Sequence, residues 1–202
     1  MKISRIINFR CFVNSSILGS KAKLIPIIAT CLTLLAGCSS TVMTPPNLKN
    51  KNFPKIEGKN LNGDKVIVPD NYLGKPTVVL VGYQQKAQFD IDRWILGLLQ
   101  ADVSVQIVEL PTIPGMMPQA VQSFIDNGMR SGIPKEDWAS VVTIYEDASK
   151  VIEAIGNERP QSAHVLLLNK DGQIIWDSNR GYSAEQILEL KSIVNSGALV
   201  DQ

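Results

Sequence analysis

The chain has 202 residues, 45% of them hydrophobic, and a formal net charge of +1. The first 37 residues contain five of the 20 basic side chains and none of the 19 acidic ones, so the rest has 15 basic and 19 acidic side chains and a net charge of −4. A mildly acidic segment of this kind lacks the clustered basic residues that bind phosphate backbones, so we exclude nucleic acid as a partner. Its length is typical of one domain.

The N-terminal segment has the pattern of an export signal. Basic residues precede an apolar stretch from Leu24 to Leu35, which is shorter than the roughly 20 apolar residues that a membrane-spanning helix needs. Leu35-Ala36-Gly37-Cys38 then matches a lipobox, where a signal peptidase cleaves and the cysteine receives a diacylglycerol. We therefore predict a signal peptide over residues 1–37 and lipidation of Cys38, with a membrane-spanning segment as the weaker alternative.

The lipid would hold the mature chain on a membrane, because two or three acyl chains together give a stable anchor. Ser39 follows the cysteine in place of aspartate, which in Gram-negative sorting favours the outer membrane, facing the periplasm. Residues 38–54 are polar, contain three prolines and show no apolar periodicity, so we predict a lipidated flexible tether. The globular domain is predicted over residues 55–202.

Strand and helix patterns alternate along this domain. Short β-branched apolar runs predict strands, and apolar residues three or four apart predict helices. The predicted strands cover 66–68, 77–83, 103–110 and 141–145, and the predicted helices cover 87–100, 118–129 and 148–155. A hairpin over 163–177 and a last helix capped by Ser183 follow. Parallel βαβ units followed by a hairpin predict an α/β fold with a mixed sheet.

Two acidic residues and an apolar stripe lie on the predicted helix over 87–100. Asp90 and Asp92 are two positions apart and point to different faces, so both are predicted to be solvated. The apolar residues recur at helical spacing and are predicted to face the core. They are Phe89, Ile91, Trp94, Ile95, Leu98 and Leu99.

Three stretches carry a family resemblance: Phe53-Pro54 with Leu61-Asn62-Gly63-Asp64-Lys65-Val66, then Leu73-Gly74-Lys75-Pro76-Thr77-Val78-Val79-Leu80-Val81, then Val165-Leu-Leu-Leu-Asn-Lys-Asp-Gly-Gln-Ile-Ile175. They resemble the first hairpin, the "G-K-P-V-V-L-V" strand and the "F-L-I-D-x-D-G-x-I" hairpin of peroxiredoxin-like and cytochrome-maturation thioredoxins. The resemblance implies a thioredoxin-like three-layer sandwich with a mixed central sheet, a C-terminal β-hairpin and a terminal helix. The strand, the hairpin and the Ile-Trp dipeptide also resemble the mitochondrial ATP-synthase assembly-factor branch.

The sequence departs from the thioredoxin-like family at its active site. There, a Cys-x-x-Cys pair or a single cysteine follows the central strand, where a helix N-terminus stabilises the thiolate. The corresponding stretch of this chain is Tyr83-Gln84-Gln85-Lys86-Ala87-Gln88, which contains no sulfur. Cys11 and Cys31 lie in the signal peptide and Cys38 is predicted to carry lipid, so we exclude thiol–disulfide and peroxidase chemistry and expect no cofactor.

We expect the edge that carries the family's active site to bind a protein or peptide partner. A proline-stiffened loop with two methionines, which make adaptable contacts, would share this edge, and an arginine near the hairpin could hold a carboxylate. The candidate residues are Tyr83, Gln84, Gln85, Met116, Met117, Arg159 and His164.

Two alternatives to a partner-binding domain remain open. A single histidine makes neither a zinc site nor a catalytic triad, so we predict no metal site and no catalytic residue. An unfamiliar enzyme, or a metal or ligand carrier, would instead use His164 with Arg159 and Tyr83. A simple envelope scaffold would tolerate changes at Gln84 and Gln85.

The lipid anchor can be tested by changing Cys38 to Ala. This variant lacks the thiol that accepts the lipid, so we expect an unprocessed or soluble protein in membrane fractionation, while a matched Ser39→Ala variant keeps the thiol and remains in the membrane fraction. Unchanged fractionation of Cys38→Ala would contradict the anchor.

Overall fold

The computed structural model describes residues 47–196, and the structural statements below refer to that range. The predicted signal peptide, Cys38 and residues 39–46 of the predicted tether lie outside it. The elements in chain order are β1 Ile56–Asn60, β2 Lys65–Val68, β3 Thr77–Gly82, α1 Gln88–Gln100, β4 Gln106–Pro111, α2 Gln119–Gly132, β5 Val142–Thr143, α3 Ala148–Ile155, β6 His164–Leu168, β7 Ile174–Ser178 and α4 Ala184–Asn195. Short 3-10 helices cover Asp70–Tyr72, Gln85–Ala87 and Lys135–Ser140.

The central sheet has the strand order β4-β3-β6-β7. β3 is parallel to β4 and antiparallel to β6, and β6 forms the predicted hairpin with β7. A second sheet has the order β2-β1-β5 and is antiparallel. The central sheet is therefore mixed, because the βαβ crossover through α1 gives the parallel pair β3–β4 and the C-terminal hairpin gives the antiparallel pair β6–β7.

The side chains of β3 alternate between two hydrophobic cores. Val79 and Val81 belong to the core formed with α3 and the β1–β2 hairpin, whereas Val78 and Leu80 belong to the core formed with α1 and α4. All six residues of β3 are buried, as expected of a strand covered on both faces. Helices thus cover both faces of the sheet, and the predicted three-layer α/β sandwich is confirmed.

Some element details differ from the sequence prediction. The strand predicted over 141–145 is reduced to β5, which pairs with β1. Its flanking residues form parallel bridges, Val141 to Glu109 of β4 and Ile144 to Thr112 just after β4. On α1, Ile91, Trp94 and Leu98 are buried as predicted, but Phe89 is 72% exposed and Leu99 is 64% exposed. The prediction for these two was wrong because they lie off the stripe that faces the sheet.

Residues 47–54 do not behave as a tether. Leu48 and Phe53 are buried in the core beside α3. The backbone of this segment bonds to the outer edge of β7, with Asn50 N–H donating to Ile174 O at 2.7 Å and Ile174 N–H donating to Lys51 O at 2.8 Å. The ordered domain therefore includes residues from 47 onward, and the boundary predicted at residue 55 was placed too late because only two apolar residues mark the segment.

Removing the Phe53 side chain tests whether this segment contributes to the fold. A buried phenylalanine changed to Ala leaves a cavity, so Phe53→Ala should lower the free energy of unfolding by about 3 kcal/mol. The exposed neighbour Asn52 provides a control, and Asn52→Ala should change stability little. Urea denaturation measures both, and equal stability of the two variants would restore the tether interpretation.

Candidate functional site

A cleft of about 710 Å³ opens at the edge where β3 and β4 end. The two strands are parallel, and Gly82 is paired with Pro111, so the segments that follow β3 and β4 leave the sheet at the same edge. One side of the cleft is formed by the residues after β3 and by the start of α1, and the other side is formed by α2. We call it the β3–β4 cleft. It lies where ligand sites of open α/β sheets are found.

Glu109 is a buried carboxyl on the lining of this cleft. It is 5% exposed, and its Oε1 atom has no hydrogen-bond partner among the described residues. Burial raises its pKa to about 7; the Gln88 side chain opposes this rise and the negative charge of Asp92 adds to it. The Gln88 amide also donates to Asp92 Oδ1 at 3.0 Å. The cleft therefore contains a carboxyl that changes charge near neutral pH.

The position of Glu109 follows from strand alternation. Its neighbours Val108 and Leu110 both belong to the core beside α3, so Glu109 points to the opposite face of β4. Glu109 was not among the candidate residues predicted from the sequence. The available signal was a charged residue between two apolar ones, two positions before the proline that ends a parallel strand.

Three of the candidate residues line the cleft together: Tyr83, Gln84 and Gln85. Tyr83 is buried, and its hydroxyl donates to Gly156 O at 2.7 Å. Burial and then the charge of Glu158 raise the pKa of Tyr83. This ring joins β3 to the end of α3, whereas Gln84 and Gln85 are exposed at the rim.

The other candidate residues lie elsewhere. Met116 is fully exposed and Met117 is half-buried in the loop before α2, and neither lines the cleft, although Ile113 of that loop does. Arg159 is exposed in the loop after α3. The structure therefore does not assemble the whole predicted edge into one site.

His164 lies at the start of β6 in a separate cavity of about 260 Å³. It is 4% exposed, and its Nε2 atom is 3.3 Å from Asp177 Oδ2. Because the lining of this cavity shares no residue with that of the β3–β4 cleft, His164 and Tyr83 face different sites. Within residues 47–196, no three His, Cys, Asp or Glu side chains are grouped as metal ligands.

The two aspartates of α1 have different surroundings. Asp92 is exposed and lines the cleft. Asp90 is not simply solvated, because its carboxylate accepts from Ala163 N–H at 2.9 Å and from Tyr182 N–H at 2.8 Å. These two bonds fix the start of α1, and with it Gln88, against the loops that flank the hairpin.

The raised pKa of Glu109 gives a pH prediction. The folded protein keeps this proton up to about pH 7, whereas the unfolded chain releases it near 4.5, so stability falls as pH rises through this window. Glu109→Gln removes this effect. Relative to the wild type, its free energy of unfolding should rise by about 3 kcal/mol between acidic and mildly alkaline pH.

Chemical denaturation at a series of pH values measures this difference. Glu189→Gln, which changes an exposed carboxyl of α4, is the matched control and should follow the wild type. A Glu109→Gln curve parallel to the wild type at every pH would contradict the pKa of the buried carboxyl.

Comparison with solved structures supports the fold. Yeast Sco1 with copper bound is 14% identical, with 73% of this chain and 95% of that chain covered and a TM-score of 0.53. A SCO1/SenC family lipoprotein from Bacillus anthracis str. Ames is 13% identical, with 72% and 96% covered and a TM-score of 0.51. BsSco, described as a member of the Sco family of cytochrome c oxidase assembly proteins, is 14% identical, with 78% and 99% covered and a TM-score of 0.50.

At these identities the likeness shows the fold alone, and it agrees with the thioredoxin-like fold predicted from the sequence. No helix within residues 47–196 is both long and apolar enough to cross a bilayer. No curated protein matches the sequence significantly. The sequence model of one family, described as ATP10 protein, matches residues 41–196, which is most of the chain. The chain therefore belongs to the ATP10 protein family.

Proposed function

We propose that this chain is a membrane-anchored lipoprotein of the cell envelope whose thioredoxin-like domain binds a polypeptide partner in the β3–β4 cleft without redox chemistry. In this proposal it is an assembly factor for a membrane protein complex. The main observation that supports partner binding is the open cleft at the edge where the thioredoxin-like family has its cysteines. In this chain Tyr83, Gln84 and Gln85 line that cleft. Its volume of about 710 Å³ is within the range of binding pockets.

The absence of cysteine supports a binding role over a redox role. The three cysteines of the sequence are Cys11, Cys31 and Cys38, so residues 39–202 contain none. Glutamine is neither a nucleophile nor a redox couple, and the stretch from Tyr83 to Gln88 therefore offers amides and an aromatic ring in place of a thiol pair. Amide and aromatic groups are suited to holding a peptide.

The sequence resemblance to the ATP-synthase assembly-factor branch and one structural neighbour support an assembly role. The chain belongs to the ATP10 protein family, and BsSco is described as belonging to a family of cytochrome c oxidase assembly proteins. From these two observations we infer that the partner of this chain is a polypeptide of a membrane complex. The lipobox at Cys38, with Ser39 after it, would place the domain at the periplasmic face of the outer membrane.

Site-specific photo-crosslinking in intact envelopes tests this function. Crosslinkable residues are placed at Gln85 and at Gly128, which both line the cleft; an added Cβ at Gly128 would meet no atom within 4 Å. The control position is Glu189, exposed on α4. We expect one polypeptide of a membrane complex to be captured from both cleft positions and not from Glu189, with mass spectrometry giving its identity.

Two results would count against the proposal. Equal capture of the same polypeptide from Glu189 would show that the cleft is not the binding surface. A normal level of the captured complex after deletion of the gene would remove the assembly role.

A further inference from the structure

The charged groups on the lining of the β3–β4 cleft are all acidic. Glu109 and Asp92 line it, and no lysine, arginine or histidine does so in the part of the chain that the structure describes. Glu109 is 5% exposed and its Oε1 atom lacks a partner within residues 47–196, so the Gln88 side chain compensates only in part for the removal of this carboxyl from water. A buried carboxylate is stabilised when a cation with suitable hydrogen bonds pairs with it.

The walls of the cleft are mainly apolar. They include Ile91 of α1, Ile113 of the loop between β4 and α2, and Ile125 and Met129 of α2. No residue of α2 is buried, and Phe124, which also lines the cleft, is 79% exposed. An occupant of this space would therefore contact apolar side chains on both sides and a carboxyl between them.

Polar contacts hold α2 in place, and they lie away from the cleft lining. Arg130 Nε donates to Leu61 O at 2.7 Å, and the Tyr145 hydroxyl donates to Asp126 Oδ1 at 2.8 Å. None of these four residues lines the cleft. The apolar side of α2 is therefore left to an occupant, while hydrogen bonds on its other side fix the helix to the domain.

We propose that the β3–β4 cleft binds an apolar polypeptide segment carrying one basic side chain, whose cationic end pairs with Glu109 beside Asp92. The inference rests on the proposed function and specifies the chemistry of its partner. Lysine and arginine have a long apolar stem and a charged end, which matches apolar walls around a buried carboxyl. A segment with a neutral residue at this place would leave Glu109 unpaired, and an acidic residue would be repelled.

The test uses three synthetic alanine–leucine peptides that differ at one central residue, which is lysine, norleucine or glutamate. Binding to the mature chain in nanodiscs is measured by fluorescence anisotropy, with empty discs as the blank. We expect the lysine peptide to bind roughly tenfold more tightly than the norleucine peptide, as for one charge-assisted hydrogen bond, and the glutamate peptide to bind most weakly.

Variants test whether the preference for the lysine peptide depends on the carboxyls of Glu109 and Asp92. Glu109→Gln should abolish the preference for lysine, and Asp92→Asn, at an exposed position that the fold tolerates, should reduce it. Glu189→Gln is the matched control on α4 and should keep it. If Glu109→Gln does not fold, the Asp92→Asn result decides, and an unchanged preference in that variant overturns the inference.

The outcomes separate this inference from the proposed function. Equal binding of the lysine and norleucine peptides to the wild type overturns the cation pairing, while crosslinks from Gln85 and Gly128 would still support a partner in the cleft. Loss of those crosslinks together with no peptide binding would overturn both.

Discussion

The burial of β3 between β4 and β6 determines the rest of the molecule. Its backbone is paired on both edges, and its side chains enter both hydrophobic cores, so the helices on the two faces are positioned relative to one strand. β3 ends at Gly82, where a Cβ would lie 3.0 Å from Ile91 Cδ1. Glycine thus lets α1 approach the end of the strand closely, which places the start of α1 on the cleft.

The two sides of the cleft differ in how they are held. On the α1 side, Trp94 packs edge-on against Trp176 and Tyr182, with ring centroids 6.0 and 5.9 Å apart, and the Asp90 carboxylate accepts two backbone hydrogen bonds. On the other side, α2 has no buried residue. A rigid wall therefore faces a helix with few buried contacts, and elements with few buried apolar contacts have low local stability. The Arg130 and Tyr145 hydrogen bonds hold α2 on the domain, so the two sides differ in apolar packing and not in whether they are attached.

Elements marked by a continuous or periodic apolar pattern could be predicted from the sequence. β3 and the 163–177 hairpin follow from runs of apolar residues, and Ser183 caps α4 as expected, with its Oγ accepting from Gln186 N–H at 3.2 Å. The pairing of residues 47–54 with β7 could not be predicted in this way, since a short edge segment with two apolar residues has no period. The candidate site was predicted in part, because strand ends indicate an edge of the sheet but not which loop side chains reach the cleft.

The electrostatics of this edge differ from those that a thiolate site requires. A thiolate site needs positive potential, which the N-terminus of the following helix supplies. Here the residues between β3 and α1 are uncharged except for Lys86, which is exposed, and the ionisable groups that line the cleft are the carboxyls of Glu109 and Asp92. A buried carboxyl with a pKa near 7 is costly for a domain of this size, unless a partner recovers that cost on binding. In redox-active thioredoxin-like proteins this edge of the fold stabilises a thiolate anion. In the function proposed for this chain, the same edge would instead bind a cation from another polypeptide.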